Sequence, residues 1–189
     1  MREIEIKARV DNLRDVEKKL RERGCLLSGP ISQHDTIYSL KKSTEEFESA
    51  KKGDVIIRIR RLKDKAQLNL KQQCSGEMDN LEHETEISNV EAVHKILQTL
   101  GWFPVVEVKK VRRKGNLGKY EICLDQVENL GSFVELEKMT SDDANPEKVR
   151  GELFNELVSL GLSREDEEIR GYDTQIYQLQ KIKSDGGKK

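Results

Sequence analysis

Six stretches of this chain carry polar, mostly charged, side chains at alternate positions. The first offers Glu3, Glu5, Lys7 and Arg9, with Ile4, Ile6, Ala8 and Val10 between them. Arg58 and Arg60 alternate with Val55, Ile57 and Ile59 nearby. Gln67, Asn69 and Lys71 alternate with Leu68 and Leu70. Further on come Glu82, Glu84 and Glu86, then Glu121 and Asp125 with Cys123 between them, then Glu135 and Glu137 flanking Leu136. A period of two places one set on each face of a strand. A solvated polar face would read the same way on any single strand. The set as a whole points further, because the cations sort to the middle strands and the glutamates to the start, middle and end. If the aliphatic faces pack under helices, the charged faces line a shared interior. Buried charge of both signs needs a ligand that satisfies both. Guanidinium and ammonium groups bind phosphate oxygens, and glutamate oxygens bind Mg²⁺ or Mn²⁺. A triphosphate with a divalent cation meets the need.

The elements that would position these groups follow from the same periodicities. Strands are expected over residues 3–10, 34–40, 55–62, 66–72, 82–88, 102–113, 119–127 and 132–139. Residues 63–65 read as a hairpin turn, and 41–54 and 75–81 as polar loops. Helices are expected after Asp11 or Asn12, over 93–100, over 146–160 with Pro146 in the first turn, and over 172–182. An internal echo links them. Glu3-x-Glu5-Ile6 precedes a helix ending at Gly24, and Glu84-x-Glu86-Ile87 precedes one ending at Gly101. Glu135-x-Glu137, with a helix ending at Gly161, is a looser third copy. Many strands and few helices favour a closed antiparallel sheet.

Composition excludes more than it selects. The 189 residues are 37% charged, yet 34 basic and 35 acidic residues leave a net charge of −1. No global charge recommends nucleic acid or an anionic membrane as partner. Cys25, Cys74 and Cys123 are widely spaced and form no C-x-x-C pair, which argues against a disulfide framework or a zinc site. No phosphate loop of the G-x-x-x-x-G-K type occurs. The expectation is a single domain over residues 1–183 with a disordered tail at 184–189. It is expected to be cytoplasmic, without membrane or nucleic-acid partners; a homodimer is compatible with the sequence.

The opening E-I-E-I-K resembles the first motif of the CYTH superfamily, the triphosphate tunnel metalloenzymes. In the family's order follow H-D-T-I-Y, I-R-I-R, L-N-L-K, E-T-E-I, K-V-R and L-D-Q-V-E-N-L-G-S-F-V-E-L-E. The last block closely resembles class IV adenylyl cyclases, and the likeness spans roughly residues 2–180. It implies an α+β, mainly β fold: an eight-stranded antiparallel barrel or tunnel with flanking helices. It implies that Glu3, Glu5, Glu135 and Glu137 hold Mg²⁺ or Mn²⁺. Lys7, Arg58, Arg60 and Lys71 would grip phosphates, with a Lys-x-Arg pair on the sixth strand. That pair is Lys110 with Arg112 by motif spacing, although K-K-V-R-R also permits Lys109 with Arg113. Asp125 matches the family's catalytic aspartate, and Glu84 and Glu86 its mid-chain acidic pair, which would orient the cations. Two departures concern specificity. Cys123 stands where class IV cyclases often carry His, and Tyr172 lies in G-Y-D-T-Q-I-Y-Q-L without the family's Ser. The implied activity is cyclisation of ATP to cyclic AMP and pyrophosphate. Hydrolysis of tripolyphosphate, a nucleoside triphosphate or thiamine triphosphate is the alternative, and an idle phosphate-binding module is a third reading.

Overall fold

A computed structural model describes residues 2–40 and 51–186, with side chains described to residue 183. Eight strands run β1 (Arg2–Val10), β2 (Ile31–Ser39), β3 (Val55–Arg61), β4 (Ala66–Gly76), β5 (Asp79–Ile87), β6 (Phe103–Leu117), β7 (Tyr120–Val127) and β8 (Gly131–Thr140). They close in the order β1-β5-β4-β3-β2-β6-β7-β8, every pair antiparallel. Closure removes the sheet edges that an open sheet of this size would expose. The seam between β1 and β5 is short, pairing only Arg2–Ile4, after which the Glu5 N–H donates to the Met78 carbonyl.

Among the described residues four helices flank the barrel: α1 (Leu13–Glu22), α2 (Val90–Thr99), α3 (Pro146–Ser159) and α4 (Tyr172–Gly186). The sequence echo is a structural one. Asn12, Asn89 and Asn145 each accept a first-turn N–H at the N-caps of α1, α2 and α3. Gly24, Gly101 and Gly161, with φ of +74°, +87° and +82°, terminate them. The helices cover the aliphatic faces of the strands. Ile4, Ile6, Ile122, Leu124, Val134 and Leu136 pack under α1 and α3 with Val16, Leu20, Leu153 and Leu157. Tyr38 and Ile59 pack with Leu97 of α2. Each such aliphatic side chain contributes about 1.5–3 kcal/mol. That burial is what forces the alternate, charged positions inward.

One expectation needs revision, and two others fall partly outside the described residues. The stretch 75–81 is not a loop: β4 continues to Gly76 and β5 starts at Asp79, leaving only Glu77 and Met78 in the turn. Its polar residues are consumed by Arg2, whose Nε and Nη2 donate to Asp79 at 2.7 and 2.9 Å while Ser75 donates to the same carboxylate at 2.5 Å. Of the loop expected over 41–54, residues 41–50 lie outside the described residues. The tail expected from 184 starts inside the last turn of α4, and 187–189 also lie outside. No described helix is long and apolar enough to cross a membrane.

Candidate functional site

The inward faces enclose a cavity of about 660 Å³. One wall comes from β1, β7 and β8. Register sets Glu5 opposite Glu137, Lys7 opposite Glu135, Glu121 opposite Glu137 and Cys123 opposite Glu135. Cross-strand neighbours on one face are close, so oxygens of Glu5, Glu135 and Glu137 lie within 4.8 Å of one another. One guanidinium serves this wall. Arg112 donates through Nε to Asp125 Oδ1 at 2.7 Å, through Nη2 to Asp125 Oδ2 at 2.5 Å and to Glu135, and lies 3.4 Å from Glu137. Lys110 Nζ reaches the same Asp125 Oδ2 at 3.0 Å.

That compensation is uneven. Burial alone would raise Glu135, but Arg112, Lys110 and Lys7 hold it well below the usual carboxylate range. Burial pushes Glu137 up to about 7, with Arg112 opposing and Glu135 and Glu5 reinforcing. Burial and then Glu135 raise Glu5. Burial takes Glu3 up to about 9 against the pull of Lys71. Three convergent carboxylates, two of them reluctant to ionise together, form a hard oxygen set short of positive charge. Such a set suits a hard divalent cation. Glu3 lines the same cavity but turns to Lys71 at 3.7 Å, outside the triad.

The opposite charge balance holds on β2 and β3. Arg60 forms a bidentate pair with Asp35, Nε–Oδ1 2.8 Å and Nη2–Oδ2 2.7 Å. Arg58 lies 3.6 Å from the same carboxylate, and its buried Nε has no partner. Two guanidiniums thus share Asp35 as their nearest anion, with Glu82 and Asp125 acting from farther off. Burial alone would raise Asp35, yet Arg58 and Arg60 drive it far below its ordinary range. Lys7 is 1% exposed, and no described carboxylate forms an ion pair with it. Its Nζ contacts Met78 Sδ at 4.0 Å and stands 4.4 Å over the Tyr172 ring. Buried cations without a full counter-charge are a receptor for an anion.

With this geometry in place, comparison with known proteins is decisive on family. The CYTH domain model matches residues 1–172. The chain belongs to the CYTH domain family. A protein of Methanocaldococcus jannaschii that carries a provisional adenylate cyclase name is 27% identical over 169 residues, covering 88% of this chain and 93% of that one. The solved structure of PH1012 protein from Pyrococcus horikoshii OT3 is 27% identical, with a TM-score of 0.75 over 90% of this chain and 96% of that one. An adenylyl cyclase-named protein from Hippeastrum, described as having a dominant triphosphatase activity, shares the fold alone at 17% identity and a TM-score of 0.58. It covers 94% of this chain and 95% of that one.

The CYTH barrel brings together most of the residues picked from sequence. Lys7, Arg58, Arg60, Lys71, Lys110, Arg112, Glu3, Glu5, Glu84, Glu135 and Glu137 all line the cavity. Asp125 is fully buried behind it, tying Lys110 to Arg112. The K-K-V-R-R ambiguity is resolved: Lys110 and Arg112 are 7% and 6% exposed, whereas Arg113 pairs with Glu17 of α1 outside. Glu84 accepts from Gln67 and Asn69, both at 2.5 Å. Glu86 differs from the expectation. It pairs with Lys65 at the exposed end of the hairpin and does not line the cavity. The strand runs on past the cavity, so its alternation continues into solvent. Sequence reasoning missed Asp35, although it sits in H-D-T-I-Y two positions from Ile37 on one face. It also left Glu82 without a role, and this residue pairs with Lys71.

Proposed function

We propose that this CYTH protein is a class IV adenylyl cyclase-like enzyme that converts ATP, bound with Mg²⁺ or Mn²⁺, to cyclic AMP and pyrophosphate. The observation that carries the triphosphate reading is one cavity holding two under-compensated cations, Lys7 and Arg58, with three convergent carboxylates, Glu5, Glu135 and Glu137. The provisional cyclase name of the M. jannaschii relative supports cyclisation over hydrolysis.

Lys7, Arg58, Arg60 and Lys110 hold phosphate oxygens, and Lys71, gripped by Glu82 and Glu3, adds a further positive centre. Asp35 and Asp125 keep these cations in place, so the site is arranged before substrate arrives. A divalent cation held by Glu5, Glu135 and Glu137 would neutralise charge on the phosphates. In cyclisation the ribose 3′-oxygen bonds to the α-phosphorus, the bond from that phosphorus to pyrophosphate breaks, and the hydroxyl proton is released.

The test is product identification with ATP, tripolyphosphate and thiamine triphosphate in Mg²⁺ or Mn²⁺. Cyclic AMP with pyrophosphate is expected, and excess EDTA should abolish it. Orthophosphate in place of cyclic AMP would convert the reading to a triphosphatase. Tight tripolyphosphate binding with no turnover would make the protein a phosphate-binding module. Arg58→Ala should weaken tripolyphosphate binding by roughly tenfold to a hundredfold, the worth of a charge-assisted contact.

A further inference from the structure

The first residue of α4, Tyr172, lines the charged cavity. Tyr172 is 8% exposed. Lys7 Nζ stands 4.4 Å and Lys110 Nζ 4.8 Å from its ring centroid. Its hydroxyl donates to Asp125 Oδ2 at 3.1 Å, the oxygen that also accepts from Lys110 and Arg112. Phe133 meets the ring edge at a centroid distance of 5.0 Å and an interplanar angle of 63°, fixing its tilt. The backbone is pinned as well. The Gly171 N–H donates to Glu77 Oε2 at 2.5 Å, and Thr174 Oγ1 donates to the same oxygen at 3.1 Å.

We propose that Tyr172 is a positioning residue for the phosphate site: its ring replaces a carboxylate as the partner of Lys7 and holds Lys7 and Lys110 facing the cavity. This rests on the triphosphate reading of the tunnel. A carboxylate would neutralise Lys7 and compete with phosphate. The negative face of an aromatic ring attracts the ammonium but leaves its full charge for an incoming anion. The compensation open to Lys7 without the ring is an ion pair with Glu135 or Glu5, which already feel its field. Phosphate would then have to break that pair.

The experiment is calorimetric titration of the full chain with tripolyphosphate in excess Mg²⁺. Wild type is compared with Tyr172→Phe, with mono- and trifluorinated phenylalanine at position 172, and with Tyr172→Leu. Fluorine drains the ring face while keeping its shape. Affinity should stay within about threefold for Tyr172→Phe, fall stepwise with fluorination and reach about a tenfold loss for the trifluorinated ring and for Tyr172→Leu. The fluorine dependence should vanish in a Lys7→Gln, Lys110→Gln background. Fluorinated rings that bind as Tyr172→Phe does would overturn the proposal, even should Tyr172→Leu not fold. A tenfold loss in Tyr172→Phe would also overturn it and move the effect to the hydroxyl. Wild type failing to bind tripolyphosphate would instead bring down the triphosphate reading, and this proposal with it.

Discussion

On the wall built by β2 and β3, one carboxylate lies among guanidiniums; on the wall built by β1 and β8, carboxylates crowd around one guanidinium. Asp35 is charged far into acid because Arg58 and Arg60 outweigh the penalty of its burial. Glu5 and Glu137 are buried to a similar degree, yet their neighbours include each other, and both are raised. Burial is common to the two walls, so the sign of the nearest charge decides the direction. The first wall is short of an anion and the second short of a cation. A triphosphate with its metal supplies both at once, which neither wall nor a simple anion could require alone.

This contrast breaks most sharply on stability. Asp35→Ala removes the anion that Arg58 and Arg60 share and leaves two buried guanidiniums with only the more distant Glu82 and Asp125. It should destabilise the protein by about 3–5 kcal/mol, measured by urea unfolding without ligand. Glu137→Gln should do the reverse near pH 8, since it removes a carboxylate that burial disfavours in its charged form. The ligand-free protein should be no less stable, while metal-dependent turnover is lost. Equal destabilisation by the two substitutions would show that the walls are balanced alike.

Much of this was readable before the structure, for a physical reason. Period-two alternation reports faces wherever one side is aliphatic, so Arg58, Arg60, Glu135 and Glu137 declared their direction at once. It fails where both faces carry charge. In K-K-V-R-R the inward pair is decided by register, with Lys110 opposite Gln33 on β2 and Arg112 opposite Asp125 on β7. It also fails where a polar run serves a buried partner. Residues 75–81 resemble a loop in composition, yet Asp79 is 3% exposed because Arg2, far off in sequence, is bound to it. Asp35 was overlooked because a lone aspartate in a strand carries no pattern. Only the β2–β3 register, which sets it opposite Arg60, reveals its partners. The Lys7–Tyr172 contact joins the two ends of the chain and has no local signature.

The pH dependence sharpens the same comparison with a smaller effect. Burial pushes Glu137 up to about 7 and Glu3 up to about 9, above the ordinary value of about 4.3. Between those values the native state binds more protons than the unfolded chain, so stability falls as pH rises. The contribution is complete below the ordinary range and gone once pH passes the folded values. Asp35 and Glu135, both lowered, act oppositely: their stabilisation is present above the ordinary range and is lost as pH falls through it towards their depressed values. The ligand-free melting temperature should therefore peak in mild acid, at about pH 5, and decline by several degrees towards about pH 9. Mg²⁺ should flatten the part of the alkaline limb set by Glu137, and leave the acid limb unchanged. An alkaline limb that is flat without metal would mean that the carboxylates of β1 and β8 are not crowded.

The smallest expected effect belongs to Glu86, and it separates motif from geometry. Glu84-x-Glu86 repeats Glu3-x-Glu5 in sequence, and the family resemblance assigns both glutamates of the pair to the interior. The structure separates them. Glu84, itself exposed, borders the cavity with Asn69 and Gln67 as donors, whereas Glu86 is bound to Lys65 away from it. An exposed ion pair of that kind contributes at most about 1 kcal/mol. Glu86→Gln should change tripolyphosphate affinity by less than about twofold and shift stability by less than about 0.5 kcal/mol. Glu84→Gln should act on the cavity, because it removes the negative charge that turns two amides towards it. A Glu86 substitution that weakens tripolyphosphate as much as Glu84→Gln would place that strand's end inside the tunnel. The motif, rather than the position of the side chain along the barrel, would then have been the better guide.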